Sequence, residues 1–341
     1  MRVAVYYNNR DVRLEERARP EAGPGEILLK VEASGICGSD VMEWYRVPRA
    51  PLVLGHEVAG IVEEIGSGVD DFRRGDRIVT THHVPCGECR YCRRDRHSVC
   101  DTLRTTHFDP GGFAEYVRLP EINVRLGTFK IPEEVSFEQA SFVEPLACVI
   151  RAQRIAGVRS GDAVAVLGSG ISGALHIQLA RARGAGPLIA TDVHPYRLKL
   201  ALRLGADAAV DATEDVPAAI REANDGRLAD RVIVTTAATF ALAGAFECVD
   251  RGGTIMYFAP PTPEALVPLP LWEVWRNGVN VLTSYSGPPD DMRAALELIA
   301  EGKIDVASMV THRLGLGEIA EGFRLVVEAG NSLKVIVEPR R

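Results

Sequence analysis

The chain has 341 residues, 46% of them hydrophobic, with 39 Lys and Arg against 46 Asp and Glu and a formal net charge of −7 at pH 7. That length has room for two domains, each with a full core. The acidic balance argues against nucleic acid or an anionic membrane as a partner.

Met1-Arg2-Val3-Ala4-Val5-Tyr6 reads as a strand that then turns charged, which is not the pattern of a signal peptide. From Met1 to about Pro145 the pattern is all-β. Short runs at Ile27 to Val31, Val58 to Val62, Arg77 to Thr80 and Ala114 to Val117 lie between Gly, Pro and Asp turns. Cys37 ends one strand-like run, in Ser34-Gly35-Ile36-Cys37-Gly38-Ser39-Asp40, and Leu54-Gly55-His56-Glu57 follows. Thiolate, imidazole and carboxylate are ligand types that zinc favours. Taken singly, Cys37 is more often a small buried residue and His56 a hydrogen-bonded core histidine.

Four of the seven cysteines crowd into Cys86-x-x-Cys89-x-x-Cys92 and Cys100. Four thiolates in one Gly- and Arg-bearing loop suit a closed tetrahedral zinc site with a structural role. Two disulfides would conflict with a reducing compartment, and an iron–sulfur cluster usually carries a different spacing.

From about Leu146 to Ser284 strands alternate with helices, which predicts a parallel, doubly wound sheet. The run Ala163 to Leu167 is a buried strand, and Gly168-Ser169-Gly170-Ile171-Ser172-Gly173 is a G-x-G-x-x-G turn. Apolar residues at helical spacing follow from Ile171, with Gly184 as the stop, and then Leu188 to Thr191 leads to Asp192. Strand, glycine turn, helix, strand and acid is the order of a dinucleotide site. The glycines admit the pyrophosphate to the helix N-terminus, and the acid can bond a ribose diol. Further strands are expected at Ala209-Val210, Val232 to Val234, Thr254 to Phe258 and Val279 to Leu282. Val232 to Phe246, the longest apolar candidate, is too short to span a bilayer and splits into a strand and a helix. A soluble, cytoplasmic protein is the expectation. Asp291 to Glu301 and Ile319 to Glu328 read as helices, and Leu333 to Val337 closes as a strand. A β-rich first half and a strand-ending tail around a βαβ block suggest one domain interrupted by another.

These pieces together resemble a zinc-dependent medium-chain dehydrogenase/reductase, in the polyol and threonine dehydrogenase branch. The likeness runs through Cys37-Gly38-Ser39-Asp40, Gly55-His56-Glu57, the four-cysteine lobe, Gly112-Phe113-Ala114-Glu115-Tyr116, Val143-Glu144-Pro145-Leu146 and the glycine turn with Asp192. The resemblance implies an α/β protein. A Rossmann doubly wound parallel sheet (146–284) is inserted in a GroES-like, partly open β-barrel catalytic domain (1–145 with 285–341), which carries the zinc lobe (86–100). The active site is expected in the cleft between them.

The resemblance makes Cys37 and His56 ligands of a catalytic zinc. It puts Glu57 and Glu144 where carboxylates ligate the metal or hold its water, and related alcohol dehydrogenases have a second cysteine in place of Glu144. Asp40 matches the acid that orients the ligand histidine, and Ser39 the hydroxyl that takes the substrate proton. Gly168, Gly170, Ile171, Ser172 and Gly173 match the pyrophosphate turn, with Asp192 on the ribose. Arg197 falls where a basic residue often lies against the adenosine ribose, or is a solvated helix charge. His82 is either a polar pocket contact or, with His83, an exposed strand end. Trp44, Arg46 and His107 are further pocket candidates.

The implied reaction is oxidation of a secondary alcohol on a polyol, cyclitol or sugar-like substrate to a ketone, with hydride passing to NAD. Two zinc ions, one catalytic and one structural, and a homodimer or homotetramer are implied with it. A threonine-type amino-alcohol dehydrogenase, a zinc-free quinone or enone reductase and a non-catalytic nucleotide-binding protein remain as alternatives. One position departs from the pattern: many relatives carry a proton-relay histidine five residues after the ligand cysteine, and here that position is Met42.

Overall fold

The computed structural model describes every residue, Met1–Arg341, and its contacts divide the chain into two compact units. Met1–Ala147 joins Ser286–Arg341 in the first, and Cys148–Tyr285 forms the second.

The first unit holds two sheets. In the smaller, Arg2–Asn8 pairs antiparallel with Asp11–Glu16 on one side and Leu52–Val53 on the other. The larger runs Val310–Gly315, Lys334–Glu338, Ile27–Gly35, Glu57–Ile65, Arg77–Thr81, Thr128–Lys130, with Tyr116–Leu119 also pairing Ile27–Gly35. Its two end strands do not pair with each other, so the barrel is partly open. Val3, Val5 and Tyr6 from the small sheet pack with Ile27, Leu29, Val58, Phe113, Phe323 and Val335 in one core. The closing strand Lys334–Glu338 belongs to this sheet because Val337 pairs with Ser34 and Ile336 with Gly35.

The all-β expectation for the first 145 residues needs correcting. Glu121–Gly127 is a helix, and single-turn helices occur at Glu43–Arg46, Asp101–Thr105 and Phe137–Ala140. None is long enough to show two full turns of apolar periodicity. Phe137–Ala140 nevertheless had a local signal, a capping box of Ser136 with Gln139.

The second unit is a six-stranded sheet, all neighbours parallel, in the order Ala208–Asp211, Leu188–Asp192, Val164–Leu167, Ala229–Val234, Val249–Tyr257, Asn280–Thr283. Numbered along the chain this is 3-2-1-4-5-6, the order of a dinucleotide-binding sheet. One face buries Val164, Val166, Ile177 and Ala190, and the other Ala165, Leu167, Val232 and Leu242. Both faces are covered, which is why these strands read as continuous apolar runs. No helix of either unit is long and apolar enough to cross a membrane.

Candidate active site

Strand register assembles the first unit's site. Gly35 pairs with Glu57, so Cys37, just past one strand, meets His56, just before the next. Glu57 also pairs with Thr81 on its other side, which brings His82 opposite His56. Ligand atoms of Cys37, His56 and Glu57 all lie within 4.8 Å of one another. The His56 and His82 ring centroids are 4.7 Å apart.

Cys37 caps a short turn, Gly38–Val41, that presents Ser39 and turns Asp40 inward. Asp40 is fully buried. Its Oδ2 accepts from the Cys37 N–H at 3.0 Å, and its Oδ1 lies 3.3 Å from His56 Nδ1. This pairing leaves Nε2 of His56 for a metal, as metal-ligating histidines require. Burial opposes charge on the imidazole, but the Asp40 carboxylate and the Cys37 sulfur outweigh it and hold His56 well above the usual histidine pKa. Arg46 donates to the Ser39 carbonyl at 3.0 Å and to Ser39 Oγ at 3.3 Å, and stands 3.5 Å from Asp40.

Glu57 has a partner that the sequence reading missed. Lys334, fully buried in the closing strand, pairs with Glu57 Oε2 and donates to the Ile36 carbonyl at 3.3 Å. A side chain at Gly35 would overlap Glu57 Oε2 and crowd the lysine, so glycine is what opens room for the pair. The available signal was a lysine in an otherwise apolar strand. Glu144 is buried in the first turn of Val143–Ala156 and lies outside the 4.8 Å set.

His82 and His83 are not an exposed strand end: His83 is buried and His82 half-buried. Burial, then the neighbouring basic groups His83, His56, His107 and Arg46, pushes His82 well below its ordinary pKa, and burial with His56 and His107 brings His83 down to about 3. Trp44 and His107 are exposed.

The four lobe cysteines are free thiols whose sulfurs lie within 4.8 Å of one another. Individual separations are 3.5 Å for Cys89–Cys92, 3.7 Å for Cys86–Cys100 and 4.0 Å for Cys86–Cys92. Sulfurs at ~2.3 Å from one tetrahedral zinc stand ~3.8 Å apart, so the donor set fits that ion. Backbone N–H groups of Cys86, Cys89 and Cys92 point at Cys100, Cys86 and Cys89 sulfurs. Burial raises the Cys100 thiol, but N–H donors from Cys86 and Leu103 and the neighbouring sulfurs outweigh it and bring it down to about 6.

In the second unit, Gly168 takes φ +98°, and a side chain at Gly173 would overlap the Gly168 carbonyl. Thr235 Oγ1 holds that same carbonyl at 2.7 Å. Gly170 is different: an added Cβ would meet only the Arg197 guanidinium, at 3.7 Å, leaving a cleared face. The helix Ile171–Ala182 starts there with no side-chain cap and no acid in its first turn, so its N–H groups are available to phosphate. Asp192 Oδ2 accepts from the Ser169 N–H at 2.8 Å and Oδ1 from His194 N–H at 2.9 Å, which fixes the carboxylate beside the turn. Arg197 stands 3.8 Å from Asp192, with its Nε buried and unpartnered.

The chain is similar to known proteins along its whole length. Residues 23–133 match the alcohol dehydrogenase GroES-like domain and residues 173–301 the zinc-binding dehydrogenase family. Sorbitol dehydrogenase of Bacillus subtilis (strain 168) is 30% identical over 100% of this chain and 98% of its own length. D-arabitol-phosphate dehydrogenase of Enterococcus avium is 33% identical over 94% of this chain and 91% of its own. The crystal structure of an alcohol dehydrogenase, rspB, from E. coli CFT073 complexed with NADH superposes with a TM-score of 0.88. It is 25% identical and covers 99% of each chain. The chain belongs to the zinc-dependent medium-chain dehydrogenase/reductases, in their polyol dehydrogenase branch.

Proposed function

We propose that this enzyme oxidises a secondary alcohol of a polyol, cyclitol or sugar-like substrate to a ketone, with NAD as the hydride acceptor. The observation that carries the reading is the register that gathers Cys37, His56 and Glu57 beside Ser39. Cys37 and His56, with the carboxylates Glu57 and Glu144 as ligands or as holders of its water, would bind a zinc ion there, which would supply Lewis-acid polarisation of the alcohol oxygen. Asp40 holds the His56 Nδ1–H and fixes the ring. Ser39 Oγ accepts the alcohol proton as its own hydroxyl proton passes on to water, and Arg46, donating to the same oxygen, keeps it oriented. Glu57, one oxygen held by Lys334, offers the other to the metal or its water. Cys86, Cys89, Cys92 and Cys100 hold the second, structural zinc.

The glycine turn, with the N–H groups of Ile171 and Ser172, receives the pyrophosphate, and Asp192 the adenosine ribose diol. A carboxylate at that place would repel a 2′-phosphate, which supports NAD over NADP; Arg197 flanks it. A cytoplasmic homodimer or homotetramer fits the chain. The strand Asn280–Thr283 is an unpaired sheet edge, and Leu271, Trp272 and Trp275 close before it are exposed, a surface that pairing between copies would cover.

The test is NADH formation from a panel of polyols and of L-threonine, with zinc-loaded and chelator-treated protein. Zinc-dependent turnover of a polyol is expected. Full activity without zinc, or preference for threonine, would overturn the reading.

A further inference from the structure

The hairpin of Arg2–Asn8 and Asp11–Glu16 touches the turn that presents Ser39. Tyr6 pairs with Val12 and Asn8 with Asp11, so Tyr7 is an extra residue, a bulge of the kind that bends a strand and re-aims the side chains beyond it. Past the bulge, Asn9 Nδ2 donates to the Val41 carbonyl at 2.8 Å, and the Asn9 N–H donates to Glu43 Oε1 at 3.0 Å. Behind Asn9, the hydroxyl of the fully buried Tyr6 donates to Asn9 Oδ1 at 2.9 Å. The Tyr6 ring is set in the core, its centroid 5.5 Å from that of Phe323. Burial, and then the Glu43 carboxylate, pushes that hydroxyl up to about 12, so it stays a donor. It therefore faces the amide oxygen of Asn9 and leaves the amide nitrogen turned to Val41.

The segment these bonds reach is too short to hold its own position. Gly38–Val41 is one turn and Glu43–Arg46 another, and neither has the length to be stable alone. At its start the first turn is tied through Asp40 to the Cys37 N–H and to His56. Arg46 ties the Ser39 carbonyl from within the same segment. At its end the Val41 carbonyl is tied from outside, by Asn9. Met42 carries no titratable proton, so the proton leaves Ser39 for water, and the step depends on where the turn sets Ser39 Oγ.

Resting on the alcohol dehydrogenase reading above, we propose that Asn9 is a positioning residue for the proton step, clamping the end of the turn so that Ser39 Oγ meets the alcohol. Its hydrogen bonds go to none of the proposed metal ligands, and it acts through Val41 and Glu43. A displacement of ~1 Å at reacting atoms costs on the order of 10²-fold in rate, so a loosened turn is visible in turnover.

The experiment compares the zinc-loaded wild type with Asn9→Ala, Asn9→Asp and Tyr6→Phe, on the polyol that the wild type turns over fastest. Asn9 is not in the left-handed region, so alanine fits the hairpin turn. Aspartate keeps an acceptor for Tyr6 and loses the donor to Val41. Both Asn9 variants are expected to lose about tenfold or more in kcat, with KM for NAD unchanged and both zinc ions kept. Their solvent isotope effect on kcat should rise, because proton transfer has become slower. Tyr6→Phe, which frees the amide to turn over, should fall between them and the wild type. Hydrogen exchange at residues 38–46, read by mass spectrometry without substrate, should quicken in both Asn9 variants. Wild-type kcat in both variants, exchange as slow as in the wild type, or a fall in kcat with an unchanged isotope effect would overturn the proposal. Turnover keeps the two readings apart: NADH formed at the wild-type rate by Asn9→Ala would sink only the role of Asn9. No NADH from any alcohol in the wild type, with exchange at 38–46 still quickened in Asn9→Ala, would sink the dehydrogenase reading instead.

Discussion

The lobe of Cys86, Cys89, Cys92 and Cys100 and the site of Cys37 and His56 both gather metal-ligand side chains within one folding unit, but by different means. In the lobe all four donors come from one short loop, and backbone N–H groups of the same loop point at the sulfurs. At the second site the donors come from two strand ends brought together by register, and a lysine 277 residues from Glu57 balances that carboxylate. A closed set of thiolates suits an ion that only holds structure. A mixed set flanked by a hydroxyl, a guanidinium and a row of histidines suits one that also meets a substrate.

The sharpest way to break the comparison is to remove one sulfur from each. Cys37→Ala is expected to lower kcat by about 10³-fold or more, since Lewis-acid stabilisation is worth several kcal/mol, in a protein that still folds. Cys89→Ser is expected to lower the melting temperature and disorder the lobe while the active-site metal stays. Full activity in Cys37→Ala would end the catalytic assignment.

Lys334→Met tests whether the buried charge pair belongs to the second site. Removing one partner of such a pair costs about 3–5 kcal/mol by denaturant unfolding, because Glu57 is left buried and uncompensated. Adding Glu57→Gln should recover much of that stability but not activity. If Lys334→Met alone is as stable as the wild type, the pair is not what holds this corner.

Asp192→Ser asks whether the dinucleotide turn is as self-contained as the lobe. The kcat/KM ratio of NAD to NADP is expected to fall by about tenfold, close to 1.4 kcal/mol, as one charge-assisted bond is lost and one repulsion relieved. Comparable wild-type kcat/KM for both cofactors would contradict the role given to Asp192.

The smallest effect is expected at Met42. With no titratable group there, proton exit from Ser39 to water should give a wild-type kcat profile without a histidine-like limb from this position. Met42→His should add one near neutrality or raise the rate there. Loss of an existing limb on replacing His82 or His83 would show a substitute relay.

What the sequence disclosed follows the same division. The lobe, the glycine turn and the βαβ alternation were legible because their spacing is local, and the parallel strands are buried on both faces. Lys334 was not, because its partner is set by pairing between the last strand and the third. His82 could be read as pocket or strand end until the Glu57–Thr81 register put it against His56. The short helices at Glu121–Gly127 and Phe137–Ala140 escaped because one or two turns carry too little periodicity against a β-rich background.

The measurement that bears most directly on the two-centre assignment is zinc content per chain, by plasma emission spectrometry, of the wild type, Cys37→Ala and Cys89→Ser, with activity measured on the same samples. The assignment predicts about two ions in the wild type and about one in each variant. Cys37→Ala should keep the lobe's ion and lose turnover, whereas Cys89→Ser should keep the catalytic ion and measurable turnover. A single zinc in the wild type that survives Cys37→Ala, with activity intact, would contradict it.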